Sequence, residues 1–294
     1  MKEGNMKTTA CTILISAMLP CNACSQQPDQ GVTDIDSNTY KTVIIGAQEW
    51  MAENLRTTHY RDGTEIPNVP DNGQWAALDR GARVFYDNDA AHPEAFGKLY
   101  NWHAVNDPRG LCPEGWSVPT DGQWMELEMY LGMPRDEAMA SSRQLEKELG
   151  TWREEAEATY TQGEDGILDI AHRGMQQNVG GKLKSGEAQP EEVQPEEAQP
   201  EEVQPEEAQP EEAQPNIGAT NESGFSGLPG GMRDSDGSFD AMGEVGFWWT
   251  ATEVDADDGW RESAWRRSLY QPLDWVLRIP NPKEYGFSVR CIRD

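Results

Sequence analysis

The chain has 294 residues, with 24 Lys or Arg against 52 Asp or Glu and a formal net charge of −28. Such a polyanion, lacking any basic stripe, is excluded as a nucleic-acid binder because phosphates would repel it. Eleven Trp, eight Tyr and six Phe still supply aromatic surface for one well-buried core.

The N-terminus reads as a targeting segment covering residues 1–23. Met6-Lys7 gives a small basic start, preceded by five residues that read as an upstream start site, and Ala10 to Leu19 is the apolar stretch. That stretch is too short for a membrane span, which needs about 20 residues. Cys24 follows Ala23 and precedes the polar run Ser25 to Gln30. The arrangement is similar to a bacterial lipoprotein signal, although Cys21 stands where leucine is usual. Lipid attachment at Cys24, plain secretion and an uncleaved chain remain as readings. In the first, the chain reaches a membrane through the lipid anchor only. Residues 24–39 are polar and Asx-rich, as in a flexible tether.

The folded part is expected over residues 40–294 as a single domain. Thr42-Val-Ile-Ile45, a turn at Gly46 and Gln48-Glu-Trp-Met51 predict a hairpin. Residues 60–95 are rich in turn signals, with Trp75, Phe85 and Tyr86 as anchors. Thr120-Asp-Gly-Gln123 predicts a capping box opening a helix, whose Trp124, Leu127 and Leu131 make one apolar stripe before Gly132 stops it. Residues 134–168 are charge-rich and predict a solvated helical insertion. A second helix is expected over Ile167 to Val179, with Ile167, Ile170, Ala171 and Met175 on one side.

Gln-Pro-Glu-Glu-Ala/Val then repeats five times from Gln189 to Ala213. Proline at every fifth position forbids a continuous helix, and the glutamates keep the tract solvated. Residues 187–215 are therefore expected as a disordered loop inserted in the domain, since closure entropy rises by only about 0.6 kcal/mol per doubling of length. Its eleven glutamates account for part of the charge, and without them −17 remains. From Gly224 to Cys291 short aromatic and β-branched runs alternate with Gly, Pro and Asx, which predicts the sheet core.

Cys112 and Cys291 lie in the body of the chain and can pair. The loop they would close is long enough for about 5 kcal/mol of chain entropy. Two reduced buried cysteines are the alternative, and export favours the bridge.

Several motifs occur in a specific order: Thr42 to Leu55, Tyr100-Asn-Trp102, Gly110-Leu-Cys-Pro-Glu-Gly-Trp-Ser-Val-Pro119, Gly224-Phe-Ser-Gly-Leu-Pro-Gly-Gly231, Trp249-Thr-Ala-Thr-Glu253 and Tyr285-Gly-Phe-Ser-Val-Arg-Cys291. Together, over residues 40–294, they resemble the Fibrobacter succinogenes major paralogous domain, a family of exported bacterial domains often found on lipoproteins. The resemblance implies an α+β fold similar to the C-type lectin-like one, with two helices, a small twisted antiparallel sheet, long loops and adjacent termini. It also implies an outer-membrane or cell-surface lipoprotein, or else a secreted protein, and carries no assigned activity.

Among site residues, Asp234, Asp236 and Asp240 place oxygens at alternate positions, a pattern that suits calcium, but the spacing departs from an EF-hand and an Asx-capped turn fits better. Asp255-Ala-Asp-Asp258 is a second acidic turn that could complete such a site. No other cofactor is expected. Trp260, Arg266, Tyr270 and Trp275 are candidates for a ligand platform: aromatic rings to stack on a sugar, and arginine to grip acidic groups. Their alternative roles are core packing and pairing of Arg261, Arg266, Arg267 and Arg278 with the chain's own carboxylates. The four histidines lack metal-ligand spacing, and no nucleophile elbow or P-loop occurs. The expectation is a non-catalytic binding module for a glycan or a cell-surface protein. The alternatives are a hydrolase or an enzyme like those that modify sulfatases, which use paired cysteines on a distantly similar fold, or a passive envelope spacer.

Overall fold

Two antiparallel strands, β1 (Val32–Thr33) and β2 (Thr39–Tyr40), open the computed structural model, which describes residues 31–92, 94–139, 173–186, 218–254 and 262–294. Asp34 closes their turn by accepting from the backbone N–H of Asp36 and Asn38 and from the Tyr40 hydroxyl at 2.6 Å. Residues 31–39 are therefore folded onto the body, which corrects the tether expected over 24–39. The polarity read as tether composition belongs to a side-chain-capped turn. The targeting segment, Cys24 and most of both expected insertions lie outside the described residues.

The predicted hairpin forms as β3 (Thr42–Ile45) and β4 (Gln48–Met51), with Ile45 paired to Gln48. Gly46 at φ +65° supplies the left-handed turn residue, and a Cβ there would meet the Tyr130 ring. The next elements are short: α1 (Asn72–Ala76), capped by Asp71, then the paired β5 (Arg83–Val84) and β6 (Leu99–Tyr100), then α2 (Trp102–Val105) and β7 (Trp116–Ser117). The capping box at Thr120 is present and starts α3 (Asp121–Tyr130), burying Trp124 and Leu127. The region read as a solvated excursion begins with α4 (Arg135–Ala138), whose Ala138 is buried in the same core cluster.

Of the second helix expected over Ile167 to Val179, residues 167–172, with Ile167, Ile170 and Ala171, lie outside the described residues, and the rest differs from expectation. Residues 173–178 form a bridge and turns with Met175 exposed, while α5 spans Val179–Leu183. Glycine inside a helix costs about 1 kcal/mol relative to alanine, yet a Cβ on Gly180 would strike the Trp275 carbonyl and one on Gly181 the Gly218 carbonyl. Close backbone approach, rather than an apolar stripe, selects this helix.

The remaining strands are β8 (Gly230–Arg233), β9 (Phe239–Met242), β10 (Val245–Glu253), β11 (Ser263–Tyr270), β12 (Leu277–Pro282) and β13 (Ile292–Arg293). The fold is thus α+β, mostly strands with few short helices. It holds a five-stranded sheet of order β12-β11-β10-β8-β9 and a four-stranded sheet of order β3-β4-β13-β7. The larger sheet is not wholly antiparallel: β10 runs parallel to β8, because the β8–β9 hairpin reverses the chain once before β10 reverses it again. Ile292 pairs with both Trp50 and Ser117, so the C-terminal strand is framed by segments from far earlier in the chain. Cys112 and Cys291 are disulfide-bonded beside it.

Alternation along β10 sends Phe247 and Trp249 into one core cluster and Trp248 into another, so both faces of the sheet are covered there. The second cluster packs Phe225 edge-on against Trp50, Trp124 and Trp248. Beside it Asn54 Oδ1 accepts from Trp248 Nε1 and Arg290 Nε, each at 2.9 Å. Arg290 also donates to the carbonyls of Phe225 and Ser226.

Asp121 and Glu128, two turns apart on α3, meet three arginines. Arg267 donates to Glu128 at 2.5 Å and to Asp121 at 2.7 Å, Arg278 to Asp121 at 2.7 Å, and Arg173 to Glu128 at 2.6 Å. Glu128 is fully buried, so Glu128→Ala leaves two buried guanidinium groups short of their counter-charge. The expected loss is about 3–5 kcal/mol in urea unfolding at pH 7; a loss below about 1 kcal/mol would show that the network contributes little.

Candidate functional site

Adjacent arginines on β11 point to opposite faces because strand side chains alternate. Arg267 faces α3 with its carboxylates, and Arg278 joins it there while stacking 3.7 Å over the Trp265 ring. Both arginines are held by the chain's own acids, the alternative role expected of them from the sequence.

Arg266 lies on the other face among Phe247, Phe287, Ser268 and Asn281. It is only 8% exposed. Nε donates to Asn281 Oδ1 at 2.5 Å and Nη1 to Ser268 Oγ at 2.6 Å, while the guanidinium carbon sits 4.8 Å from the Phe247 ring centre and 5.5 Å from that of Phe287. Among the described residues no carboxylate pairs with it. Burial pulls its pKa below the usual arginine value. Tyr270 and Tyr285 are close enough to feel its charge, and burial raises both phenols. Both rings are half-buried, as are Ile279 and Asn281 on the neighbouring strand. Ile279 is the direct cross-strand partner of Arg266, so it shares that face.

The structure therefore brings Arg266 and Tyr270 together as expected. Trp275 is half-buried in the turn after Tyr270, where the backbone of Asp274 accepts from Gly180 of α5. Trp260, Arg261 and the acidic turn 255–258 lie outside the described residues. Tyr285 was not singled out, and only the chain reversal at Lys283 to Gly286 places it beside Arg266.

The acidic triplet forms a turn. Asp234 accepts from Ser235, Asp236 from the N–H and hydroxyl of Ser238, and Asp240 from the N–H of Ala241. Gly237 has φ +92°, with Asn72 where a Cβ would be. Among the described residues no group of three or more His, Cys, Asp or Glu is placed to hold a metal ion. Asp234 and Asp236 cap backbone N–H groups of the β8–β9 connection, the Asx-capped turn weighed against calcium in the sequence, while Asp240 accepts within β9.

A different feature was missed in the sequence. A cleft of about 230 Å³ lies between the β1–β2 turn and the loop carrying Cys112, lined in part by Thr33, Asp34, Thr57, Arg61 and Glu114. Arg61 is fixed by donating to the carbonyls of Cys112 and Trp116. At the far side of Thr57, Asp36 accepts from Thr57 Oγ1, from the N–H and hydroxyl of Thr58, and from His59 Nδ1 at 2.5 Å. Burial opposes ionisation of Asp36, but these hydrogen bonds outweigh it and hold the carboxyl well below the usual range. A carboxylate only accepts, so Nδ1 of His59 is the donor to Asp36. Nearby, Lys98 is buried over Phe85 with Nζ donating to the Arg56 carbonyl, and burial pushes it down to about 8. The signal for this cluster, Asp34-Ile-Asp36 and Thr57-Thr-His59, is dispersed over two loops.

The Fibrobacter succinogenes major domain matches residues 43–293. The chain belongs to this family. No curated protein and no solved structure matches it. Three of the motifs that carried the resemblance converge in this family member: Asn54, Phe225 and Ser226, and Arg290 share one hydrogen-bonded cluster, which the neighbouring Trp248 joins through Asn54. Among the described residues no helix is long and apolar enough to cross a membrane.

The depressed carboxylates set the acid response. Asp36 and Asp121 have folded pKa values below the roughly 3.9 of an unfolded aspartate, so their contribution is complete above about pH 5 and drains away as pH falls below about 4. Asp36→Asn should lower stability at pH 7 and flatten its fall between pH 5 and 3 in denaturant titrations. An unaltered slope would assign the acid sensitivity to other groups.

Proposed function

We propose that this chain is a non-catalytic binding module of the cell surface, built on a C-type lectin-like variant of its α+β fold, that recognises a glycan or a surface protein. The observation that carries the reading is the sheet face around Arg266, where half-buried Tyr270 and Tyr285 flank a cation that no carboxylate among the described residues pairs with. Tyrosine offers a large apolar face and a polar edge, the combination that sugar rings and interface side chains use. Binding on a glycan array, with and without calcium, is the expected outcome for the whole chain. Silence under every condition, against sugars and surface proteins alike, would remove the reading.

The Cys112–Cys291 disulfide supports an oxidising compartment, since such bonds persist outside the cytoplasm. Export with lipid at Cys24 follows as the proposed route to the surface. Labelled palmitate should enter the chain in the native host and be absent from Cys24→Ala; equal labelling of both would place the lipid elsewhere or dismiss it.

A hydrolytic reading has one observation in its favour, the Asp36–His59 pair beside the cleft of about 230 Å³. Orientation of an imidazole by a carboxylate is how general bases are held. Among the described residues no serine, cysteine or threonine side chain is in hydrogen-bond contact with His59 Nε2, and the sheet face around Arg266 favours binding.

A further inference from the structure

The buried arginines of the described residues divide by what their nitrogens touch, and Arg83 has Glu65 as a counter-charge at 3.8 Å with its Nε sealed from solvent. Arg290 gives Nε to Asn54, Nη1 to Phe225 and Nη2 to Ser226. Arg233 gives Nε to Gly237, Nη1 to Val69 and Nη2 to Pro70 and Asn72. Arg267 gives all three nitrogens to Glu128 and Asp121. In each of the last three, every nitrogen of the guanidinium has an acceptor, and the role is to hold backbone or acids in place. Arg173 keeps Nε and Nη1 without acceptors, but both atoms are sealed from solvent.

Arg266 differs from all of these. Its two acceptors are the side chains of Asn281 and Ser268, its Nη2 has no acceptor among the described residues, and none of its nitrogens is among the sealed, unsatisfied atoms. The open nitrogen therefore borders solvent, on a face whose other members are the half-buried Tyr270, Tyr285, Ile279 and Asn281. Leaving a desolvated guanidinium without a counter-charge is costly unless something supplies one.

We propose that Arg266 anchors the single carboxylate of an acidic sugar, a uronic-acid residue in an otherwise neutral glycan, with the sugar ring laid against Tyr270 and Tyr285. This rests on the binding reading above and adds the class of ligand. The carboxylate completes the fork through a charge-assisted hydrogen bond to Nη2, and Asn281 and Ser268 hold the guanidinium ready for it. The net charge of −28 disfavours a polyanionic chain, whose other charges would be repelled at distances beyond the single contact. An isolated carboxylate meets that repulsion once, and at roughly 0.15 M salt charges more than about 8 Å apart are largely screened.

The test is calorimetric titration of the whole chain with a glucuronate-containing disaccharide, its methyl ester, the neutral glucose counterpart and a short acidic peptide. The free acid should bind at least about tenfold tighter than the ester or the neutral sugar, as expected for a hydrogen bond to a charged group. The ester comparison uses the unaltered protein and so does not depend on any variant folding. Arg266→Gln, checked for native circular dichroism and melting, should erase the preference while retaining residual affinity for the neutral sugar. Equal binding of acid and ester overturns the anchor while leaving the binding module intact. Tighter binding of the peptide than of any sugar overturns the sugar assignment. Failure of all four ligands overturns the anchor, whereas the binding module itself is judged on the array.

Discussion

Arg290 ties the body together with a charge that makes no ion pair among the described residues and feels Glu53 only at a distance. Its guanidinium lies 4.1 Å over the Phe225 ring and joins Asn54 from the first quarter of the chain to the Gly224–Gly231 segment and the C-terminal strand. A fold with few long helices or strands leaves many carbonyls without ladder partners, and each buried one needs a donor. Cationic side chains meet that need repeatedly. Arg233 serves Val69 and Pro70, Arg61 serves Cys112 and Trp116, Lys98 serves Arg56, and Lys184 serves Gln271 and Leu273. Turning cations inward to staple loops also leaves the exterior to the acids, so the negative surface and the irregular backbone share one cause.

The same chemistry gives neighbouring residues different fates. Arg266 and Arg267 are adjacent, yet period-two geometry delivers one to the acids of α3 and the other to aromatic rings and neutral acceptors. A strand buried on both faces can hold a structural network on one side and an unsaturated donor on the other. Rigidity on the α3 side then holds the opposite face in register, the condition that lowers the entropy cost of the proposed binding.

Features encoded over a few residues could be read directly from the sequence. The β3–β4 hairpin and the Thr120 capping box depend on local period and turn chemistry, and both are in place. The pairing of Cys112 with Cys291 followed from count and context. Features that depend on distant partners were opaque. Residues 31–39 look like tether until Tyr40 and Thr57 are seen to close around Asp34 and Asp36. The helix at Val179–Leu183 is set by carbonyls of Trp275 and Gly218, which no periodicity reports. At the candidate site, Arg266 and Tyr270 were legible as residue types, but their burial and the arrival of Tyr285 were not.

The two flanks of the glutamate repeats are sewn to a single short helix. Thr220 donates to the Gly181 carbonyl, Asn178 to that of Gly218, and Ser185 to that of Gly227. Whatever lies between residues 186 and 218 thus leaves and rejoins the body at neighbouring points whose spacing the helix dictates. The number of repeat units becomes a free variable for evolution or for an engineer: copies could be gained, lost or exchanged for an unrelated cargo, with a change in stability of only about 0.6 kcal/mol for each doubling.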